Sequence, residues 1–235
     1  DVGWSLLEGL PSGLFEIDVL ADYFKNLLEG LGGSDRFDQL EKELFIVATN
    51  LENGTRELFS RQHNTHVPIS KAVAASSTIP FLWKPINIDG VEYLDGGLRG
   101  NASLDIAIEE GADLILCINP MVPFDNHPDA FIPFLGPNKD KNSDRYRHLS
   151  EKGLLAVLDQ VFHILTNSSL HYHIKQLRRT YPDIEIILVE PDKDDYQMHF
   201  YNLMRLSARQ IIAQHGTLSV TRNLDKNYDY IQSVL

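Results

Sequence analysis

The segment from residue 86 to residue 97 constrains the fold of this chain more than any other feature. Ile86-Asn87-Ile88 and Val91-Glu92-Tyr93 alternate between apolar and polar side chains, and Asp89-Gly90 separates them. Such alternation is typical of a half-buried strand, and an Asp-Gly pair between two such runs predicts a tight β-hairpin. The second arm continues into Asp95-Gly96-Gly97. The sequence therefore places this tripeptide at the end of a strand.

The preceding sequence predicts short elements of both kinds. Residues 14–31 carry apolar side chains at helical spacing and are followed by Gly32-Gly33, and Pro68 opens a second helix that continues to Ser76. Residues 43–49 are rich in strand-forming side chains, and Asn53-Gly54 separates them from a second strand at 56–59. This is the pattern of another hairpin.

Residues 104–118 predict a helix followed by a buried strand. The helix covers 104–110 and is closed by Gly111. Residues 114–118 form a continuous apolar run, which is typical of a strand buried on both faces. A helix between two strands is a βαβ crossover, so we expect an α/β fold with a largely parallel central sheet.

The rest of the chain predicts one long loop and a further α/β segment. Residues 119–152 are polar and rich in proline, and loops of this length tend to be functional or disordered. Residues 153–235 predict a helix at 154–179, a strand at 184–189 and a helix at 200–214. Because no internal repeat is present, we expect residues 1–235 to form a single domain, or most of one.

Charge and hydropathy exclude several classes of protein. The formal net charge is −12, from 21 basic and 33 acidic residues, which disfavours nucleic-acid binding and bulk attraction to an anionic membrane. No apolar run approaches the length of a transmembrane span, and no signal peptide is visible. The single Cys117 forbids an intrachain disulfide. These features favour a soluble protein, cytoplasmic or peripherally attached to a membrane, without deciding the compartment.

Asp95 is the strongest candidate for a catalytic residue. Sites in α/β sheets form beyond the carboxyl ends of strands, and the two glycines after Asp95 allow a substrate or another segment to approach closely. The alternative is a simple turn in which Asp95 bonds its own backbone, since Asp and Gly are common turn residues. The tripeptide alone favours the turn.

The surrounding sequence resembles the patatin-like phospholipase family. The resemblance includes Ala74-Ala75-Ser76-Ser77-Thr78-Ile79-Pro80-Phe81, then Pro85, the hairpin into Tyr93-Leu94-Asp95-Gly96-Gly97-Leu98, and Asn101. It extends to the helix at 104–111, to Ala112-Asp113, and upstream to the strand at 45–49 with Asn53-Gly54 and Phe59. It covers residues 14–120 well and is weak beyond them.

The resemblance implies a lipid acyl-ester hydrolase with a three-layer α/β/α, lysophospholipase-type fold. A Ser–Asp dyad would carry the reaction, and the family's aspartate corresponds to Asp95. No metal or nucleotide cofactor is implied. Phospholipids, lysophospholipids or other acyl esters would be substrates, with transient contact to a membrane surface.

The serine of the dyad has no counterpart in this sequence. Gly9-Leu10-Pro11-Ser12-Gly13 carries proline where a nucleophile elbow needs a free amide, and Gly32-Gly33-Ser34-Asp35 lacks the closing glycine. Ser76 and Ser77 correspond to structural positions of the family. No glycine-rich oxyanion loop is present either. Because in the family both missing elements lie N-terminal to the point where this chain begins, we expect the chain to be the C-terminal portion of a longer domain and to be inactive alone. A degenerate, non-catalytic module that binds lipid or protein is the alternative, and an unrelated α/β binding domain is a third.

Other candidate sites have a weaker basis. His171 and His173 lie two apart on a helix and face different sides, and His63 and His66 lie in a polar loop, so a metal site is not expected at either pair. Asp192, Asp194 and Asp195 lack the ligand spacing of an EF-hand.

The apolar side chains at Phe124 and 131–135 suggest a lid or membrane-facing flap, or else a segment that packs on the core.

Overall fold

The computed structural model describes residue 9 and residues 11–100, 102–123, 125, 148–191 and 206–234. The chain divides into two compact units, Asp1–Asn101 and Ala102–Leu235. The proposed flap at Phe124 and 131–135 and the acidic run at 192–195 lie outside the described residues.

The described part of the first unit contains a four-stranded antiparallel sheet with two α-helices. Its strands and helices in chain order are β1 (Gly13–Phe15), α1 (Asp18–Gly30), β2 (Ile46–Asn50), β3 (Arg56–Phe59), α2 (Ile69–Ser76), β4 (Phe81–Trp83), β5 (Ile86–Ile88) and β6 (Val91–Asp95). The sheet has the order β3-β2-β6-β5, and β1 pairs with β4 in a separate parallel pair.

The hairpin predicted around Asp89-Gly90 is confirmed. Ile88 pairs with Val91, so the turn contains two residues, and both have positive φ, 54° at Asp89 and 87° at Gly90. These are the angles of a type I′ turn, which suits the twist of the two strands it joins. The turn therefore determines the register that carries Asp95 to the end of β6.

The Asn53-Gly54 turn joins its strands differently from the prediction. β2 and β3 are paired as expected, but five residues separate Asn50 from Arg56, and only Gly54 has positive φ, 69°. Asn53 acts through its side chain, because its Oδ1 accepts the Thr55 N–H at 2.9 Å and the Thr55 hydroxyl at 2.6 Å. Asn53 and Gly54 therefore lie in a five-residue loop that the Asn53 side chain stabilises.

The helix predicted at 14–31 starts later than expected. Residues 13–15 form β1 instead, because they pair with β4 and the Phe15 carbonyl accepts the Lys84 N–H at 2.9 Å. The ring of Phe15 also contacts Trp83, with 5.8 Å between centroids. These partners lie far along the chain, so the helical spacing of the local sequence did not reveal them.

The core of the first unit lies between α2 and the sheet. Ala72, Ala74 and Ala75 are fully buried on α2, and their small side chains let the helix approach β2 closely. Phe37 and Phe59 supply the large side chains of the same cluster. Burial of this apolar surface is the main source of stability for the unit.

The start of α2 is capped from a distant part of the chain. Pro68 precedes the helix and offers no side-chain cap, as its sequence position predicts. The Asp35 carboxylate supplies the cap instead, because Oδ1 accepts the Ser70 N–H at 2.7 Å and Oδ2 accepts the Ser70 hydroxyl at 2.8 Å. The Asp35 carbonyl also accepts the Ile69 N–H at 3.1 Å.

The described part of the second unit contains a parallel strand pair and four α-helices. Its elements are α3 (Leu104–Glu109), β7 (Leu114–Ile118), α4 (Leu154–Thr180), β8 (Glu185–Val189), α5 (Leu206–Lys226) and α6 (Tyr228–Val234), with a short helical turn at Leu149–Lys152. β7 and β8 are parallel, with Leu114 opposite Glu185 and Ile118 opposite Val189. The predicted helices at 104–110 and 154–179 and the strands at 114–118 and 184–189 are thus present with similar bounds. Residues 200–205 of the helix predicted at 200–214 lie outside the described residues, and the helix continues to Lys226.

The predicted crossover joins a different pair of strands. α4, not the helix after β6, links the parallel strands, and β6 pairs antiparallel with β2 and β5. The fold is mixed α/β, and parallel pairing among the described residues is limited to β1–β4 and β7–β8.

β7 is covered on one face only, contrary to the prediction from its apolar run. Ile115 and Cys117 pack against α4, whereas Leu116 and Ile118 are 57% and 64% exposed. The composition of a strand does not indicate whether one or both of its faces are covered, because the covering elements come from elsewhere in the chain. No helix among the described residues has the length and hydropathy needed to cross a membrane.

The Asp35 cap gives a first prediction. Asp35→Ala should lower the free energy of unfolding by about 1–3 kcal/mol, because two Ser70 donors at the start of α2 lose their acceptor. Asp38→Ala is the matched control: Asp38 lies three residues away and pairs with Arg36 at the surface, so little change is expected. Equal urea-unfolding midpoints for the two variants would contradict the capping role.

Candidate active site

Asp95 is the last residue of β6 and lies beyond the end of β5. It is opposite Ala48 of β2. The pairing of β6 with β5 ends at Tyr93, two residues before Asp95. Its side chain is partly buried and begins a short helical turn, Gly96–Leu98. The Gly97 N–H donates to Asp95 Oδ1 at 2.7 Å. This is the backbone contact expected of a turn, so the contact alone does not assign a catalytic role.

Gly96 is required by a close approach between two strands. A Cβ atom at this position would lie 2.2 Å from the Val47 carbonyl oxygen and 2.8 Å from the Val47 carbonyl carbon. Both are backbone atoms, so no side-chain rotation would relieve the overlap. Glycine is therefore required at residue 96 on steric grounds, and its small size lets the chain turn against β2 directly after Asp95.

Burial changes the acid–base character of Asp95. It raises the pKa of the carboxyl from 3.8 to about 6, while the Gly97 N–H opposes the rise by favouring the charged form. Among the described residues, no Lys, Arg or His forms an ion pair with this carboxylate. A carboxylate with this pKa is mostly ionised at pH 7 and is a stronger base than an exposed aspartate.

Two threonines hold the backbone of Asp95. The Asp95 N–H donates to the Thr78 carbonyl at 2.9 Å, and the Thr49 hydroxyl donates to the Asp95 carbonyl at 2.9 Å. Thr78 is fully buried directly after α2, where its hydroxyl donates to the Ala74 carbonyl at 2.7 Å. The sequence did not identify Thr49, because nothing local indicates that β2 lies beside β6. Thr78 lies within the family-like stretch, but its carbonyl contact is not visible in the sequence.

Ser76 and Ser77 lie at the C-terminal end of α2. Ser77 ends α2, and its N–H donates to the Ala74 carbonyl at 3.1 Å. Among the described residues, no serine hydroxyl contacts the Asp95 carboxylate, whose hydrogen-bond donor is the Gly97 N–H. Asp95 is thus hydrogen-bonded to Thr49, Thr78 and Gly97, and no hydrogen bond joins it to Ser76 or Ser77 among the described residues.

The histidine pairs do not converge. His63 Nδ1 lies 3.2 Å from the buried Ser60 hydroxyl, whereas His66 Nε2 lies 2.8 Å from Asp89 on the surface. Within the described ranges, no group of three or more His, Cys, Asp or Glu side chains could hold a metal ion.

His171 belongs to a polar network in the second unit. Glu190 follows β8, and its Oε1 accepts from Asn119 after β7 at 2.7 Å and from Asn167 on α4 at 3.0 Å. His171 Nε2 lies 3.0 Å from the same oxygen. The donors satisfy Glu190 and tie α4 to the ends of both strands, which is a structural role. Burial and the charge of Glu190 also raise the pKa of the Cys117 thiol to about 11, so this cysteine is not an activated nucleophile.

Comparison with known proteins finds a family match that covers the candidate site. Residues 4–108 match the family model described as patatin-like phospholipase. This match covers less than half of the chain, includes Asp95-Gly96-Gly97 and agrees with the resemblance found in the sequence.

Two viral proteins are similar to this chain. "Uncharacterized protein R571" of Acanthamoeba polyphaga mimivirus is 26% identical over 193 residues, which are 81% of this chain and 57% of that protein. "Probable lipid hydrolase 463L" of Invertebrate iridescent virus 6 is 26% identical over 85 residues, which are 36% of this chain and 29% of that protein. The matches thus span about half of the first relative and less than a third of the second.

The close approach at Gly96 gives a second prediction. Gly96→Ala should lower the free energy of unfolding by about 1–3 kcal/mol, because the new methyl group overlaps the Val47 backbone. Gly100→Ala is the control, since no atom lies within 4 Å of a Cβ at that position. Thermal unfolding measures both variants, and an equally stable Gly96→Ala protein would contradict the close approach.

The buried carboxylate gives a third prediction, on stability against pH. Because the folded-state pKa of Asp95 is about 6 and the ordinary value is 3.8, the folded protein binds this proton more tightly than the unfolded chain. The associated stability is complete below about pH 4 and is lost as pH rises through about 6. Asp95→Asn removes the buried charge, so it should raise the free energy of unfolding by about 1–3 kcal/mol at pH 8 relative to the native protein. Urea titrations measure the difference, and an equal difference at pH 4 would contradict this assignment.

Proposed function

We propose that this protein is a lipid acyl-ester hydrolase in which Asp95 is the base of a Ser–Asp dyad. The observation that carries the proposal is the buried carboxylate at the end of β6, which has a pKa of about 6 and forms no ion pair among the described residues. The family match over residues 4–108 and the relative named as a probable lipid hydrolase support the reaction class. Phospholipids and lysophospholipids are the proposed substrates.

Asp95 would act in both half-reactions. In acylation, Asp95 takes the proton of a serine hydroxyl as the serine oxygen attacks the ester carbonyl, and it returns that proton to the departing alcohol. In deacylation, Asp95 takes a proton from water, the resulting hydroxide attacks the acyl-serine, and the proton returns to the serine oxygen as the fatty acid leaves. The base must be ionised at the start of each half-reaction, and a pKa of about 6 meets this requirement at neutral pH.

The serine is proposed to lie in a Gly-x-Ser-x-Gly segment of the complete protein, N-terminal to the sequence given. The support is that no Gly-x-Ser-x-Gly sequence occurs in residues 1–235 and that Ser76 and Ser77 lie at the end of α2 without a hydrogen bond to the Asp95 carboxylate among the described residues. On this proposal the given chain alone is inactive. The three-layer α/β/α fold with a largely parallel sheet would then belong to the complete domain.

We also infer that both units belong to one patatin-like domain. The alignment with the mimivirus protein covers 193 residues, more than either unit contains, which supports a domain that runs through the junction at residue 101.

The dyad gives a fourth prediction. In the complete protein, Asp95→Asn should lower kcat for a soluble short-chain ester by about 10²–10⁴-fold, because the amide cannot accept the serine proton. The native enzyme should lose activity as pH falls through about 6, with the slope of a single protonation. Hydrolysis of p-nitrophenyl butyrate measures both, and circular dichroism checks that the fold is retained.

Asp89→Asn is the matched control, because it makes the same chemical change in the turn of the same hairpin, where the side chain is 69% exposed. It should keep native activity. Near-native turnover by Asp95→Asn would refute the proposed base. Absence of labelling by a fluorophosphonate serine probe in the complete protein would favour the non-catalytic lipid- or protein-binding module instead.

A further inference from the structure

The peptide group between Asp95 and Gly96 is held by a side chain from the neighbouring strand. The Thr49 hydroxyl donates to the Asp95 carbonyl at 2.9 Å, across 46 positions of sequence. Thr49 is 8% exposed and lies opposite Leu94 in the register of β2 and β6. The contact therefore comes from a buried, well-packed position, where a hydrogen bond to a carbonyl is expected to be maintained.

This peptide group determines where the Asp95 carboxylate points. The Asp95 carbonyl and the Gly96 N–H share one plane, so rotation of that plane turns the start of the chain that follows. Two residues later, the Gly97 N–H donates to Asp95 Oδ1 at 2.7 Å. A continuous set of contacts thus runs from the Thr49 hydroxyl through the peptide plane to the N–H that orients the carboxylate.

The other side of Asp95 is held independently. The Asp95 N–H donates to the Thr78 carbonyl, which is a backbone group and is present whatever side chain occupies residue 78. Gly96 is close to Val47, but a steric contact restricts the chain without selecting one rotation of the Asp95–Gly96 peptide. The Thr49 hydroxyl is the directional contact made by a side chain, so it is the one that substitution can remove.

We propose that Thr49 is a positioning residue for Asp95: its hydroxyl fixes the Asp95–Gly96 peptide, and through the Gly97 N–H it aims the carboxylate at the nucleophile. This inference rests on the proposed function of Asp95 as the base. Thr49 itself touches no reacting atom. It contributes to the accurate placement of the Asp95 carboxylate, and a displacement of about 1 Å in a catalytic group can cost about 10²-fold in rate.

Substitutions at Thr49 in the complete protein test the proposal. Thr49→Val keeps the shape of the side chain and removes the donor, so kcat should fall by about 10–100-fold while KM changes less than about twofold. Thr49→Ser keeps the donor and should stay within about threefold of native kcat. Weaker alignment of the Gly97 N–H removes a contact that lowers the Asp95 pKa, so the acidic limb of the kcat–pH profile should move to higher pH in Thr49→Val.

Thr166→Val is the matched control for structural effects. Thr166 is also buried, and its hydroxyl also donates to a backbone carbonyl, that of Phe162 at 2.9 Å, but within α4 of the second unit. It should lose stability in the same range as Thr49→Val and keep native kcat and the native pH profile. A purely structural role for Thr49 predicts the same behaviour in both variants.

The outcomes separate this inference from the proposed function. Native kcat and an unmoved pH profile in Thr49→Val, together with an inactive Asp95→Asn, would overturn the role of Thr49 and leave Asp95 as the base. An active Asp95→Asn would overturn the proposed function itself. Should Thr49→Val not fold, Thr49→Cys replaces it, because a thiol is only a weak donor, and kcat equal to that of Thr49→Ser would then overturn the inference.

Discussion

The close contact between β6 and β2 is the constraint on which the candidate site depends. The chain after Asp95 turns directly against the Val47 carbonyl, and only a residue without a Cβ fits there. This packing leaves Asp95 at the end of the strand, partly withdrawn from water and with its backbone bonded on both sides. The pKa of the carboxyl follows from the same packing, because burial without a cationic partner disfavours the charged form. Strand pairing thus gives Asp95 both its position and its basicity.

Local turn chemistry made part of the fold predictable. The Asp89-Gly90 pair determines a two-residue turn with positive φ at both positions, and nothing distant is needed to form it. Pro68 likewise marks the start of α2: it is the extended residue directly before Ile69, and its ring could not continue a helix from the preceding segment. Asp95 could be placed at the end of a strand for the same reason: the hairpin that carries it is determined by neighbouring residues.

The features that sequence reasoning missed depend on distant pairing. Residues 13–15 form a strand because β4, near residue 83, lies beside them. β7 is apolar throughout, yet one face is exposed, since the number of layers over a strand is set elsewhere in the chain. Thr49 is an ordinary threonine in a strand until β2 is paired with β6. The family resemblance identified Asp95, but no local pattern in residues 43–59 indicated which side chain holds it.

The cap of α2 has a consequence for how the site opens. Eight residues are too few for a helix to be stable alone in water, and the amides at the start of α2 are satisfied by Asp35, 35 positions earlier. The Thr78 carbonyl that receives the Asp95 N–H lies just after the other end of the same helix. We therefore expect the amides of Ser70 and Asp95 to lose their protection against hydrogen exchange together when the segment around Asp35 is released. The lifetime of the candidate site would then depend on that segment, which is distant from it in sequence.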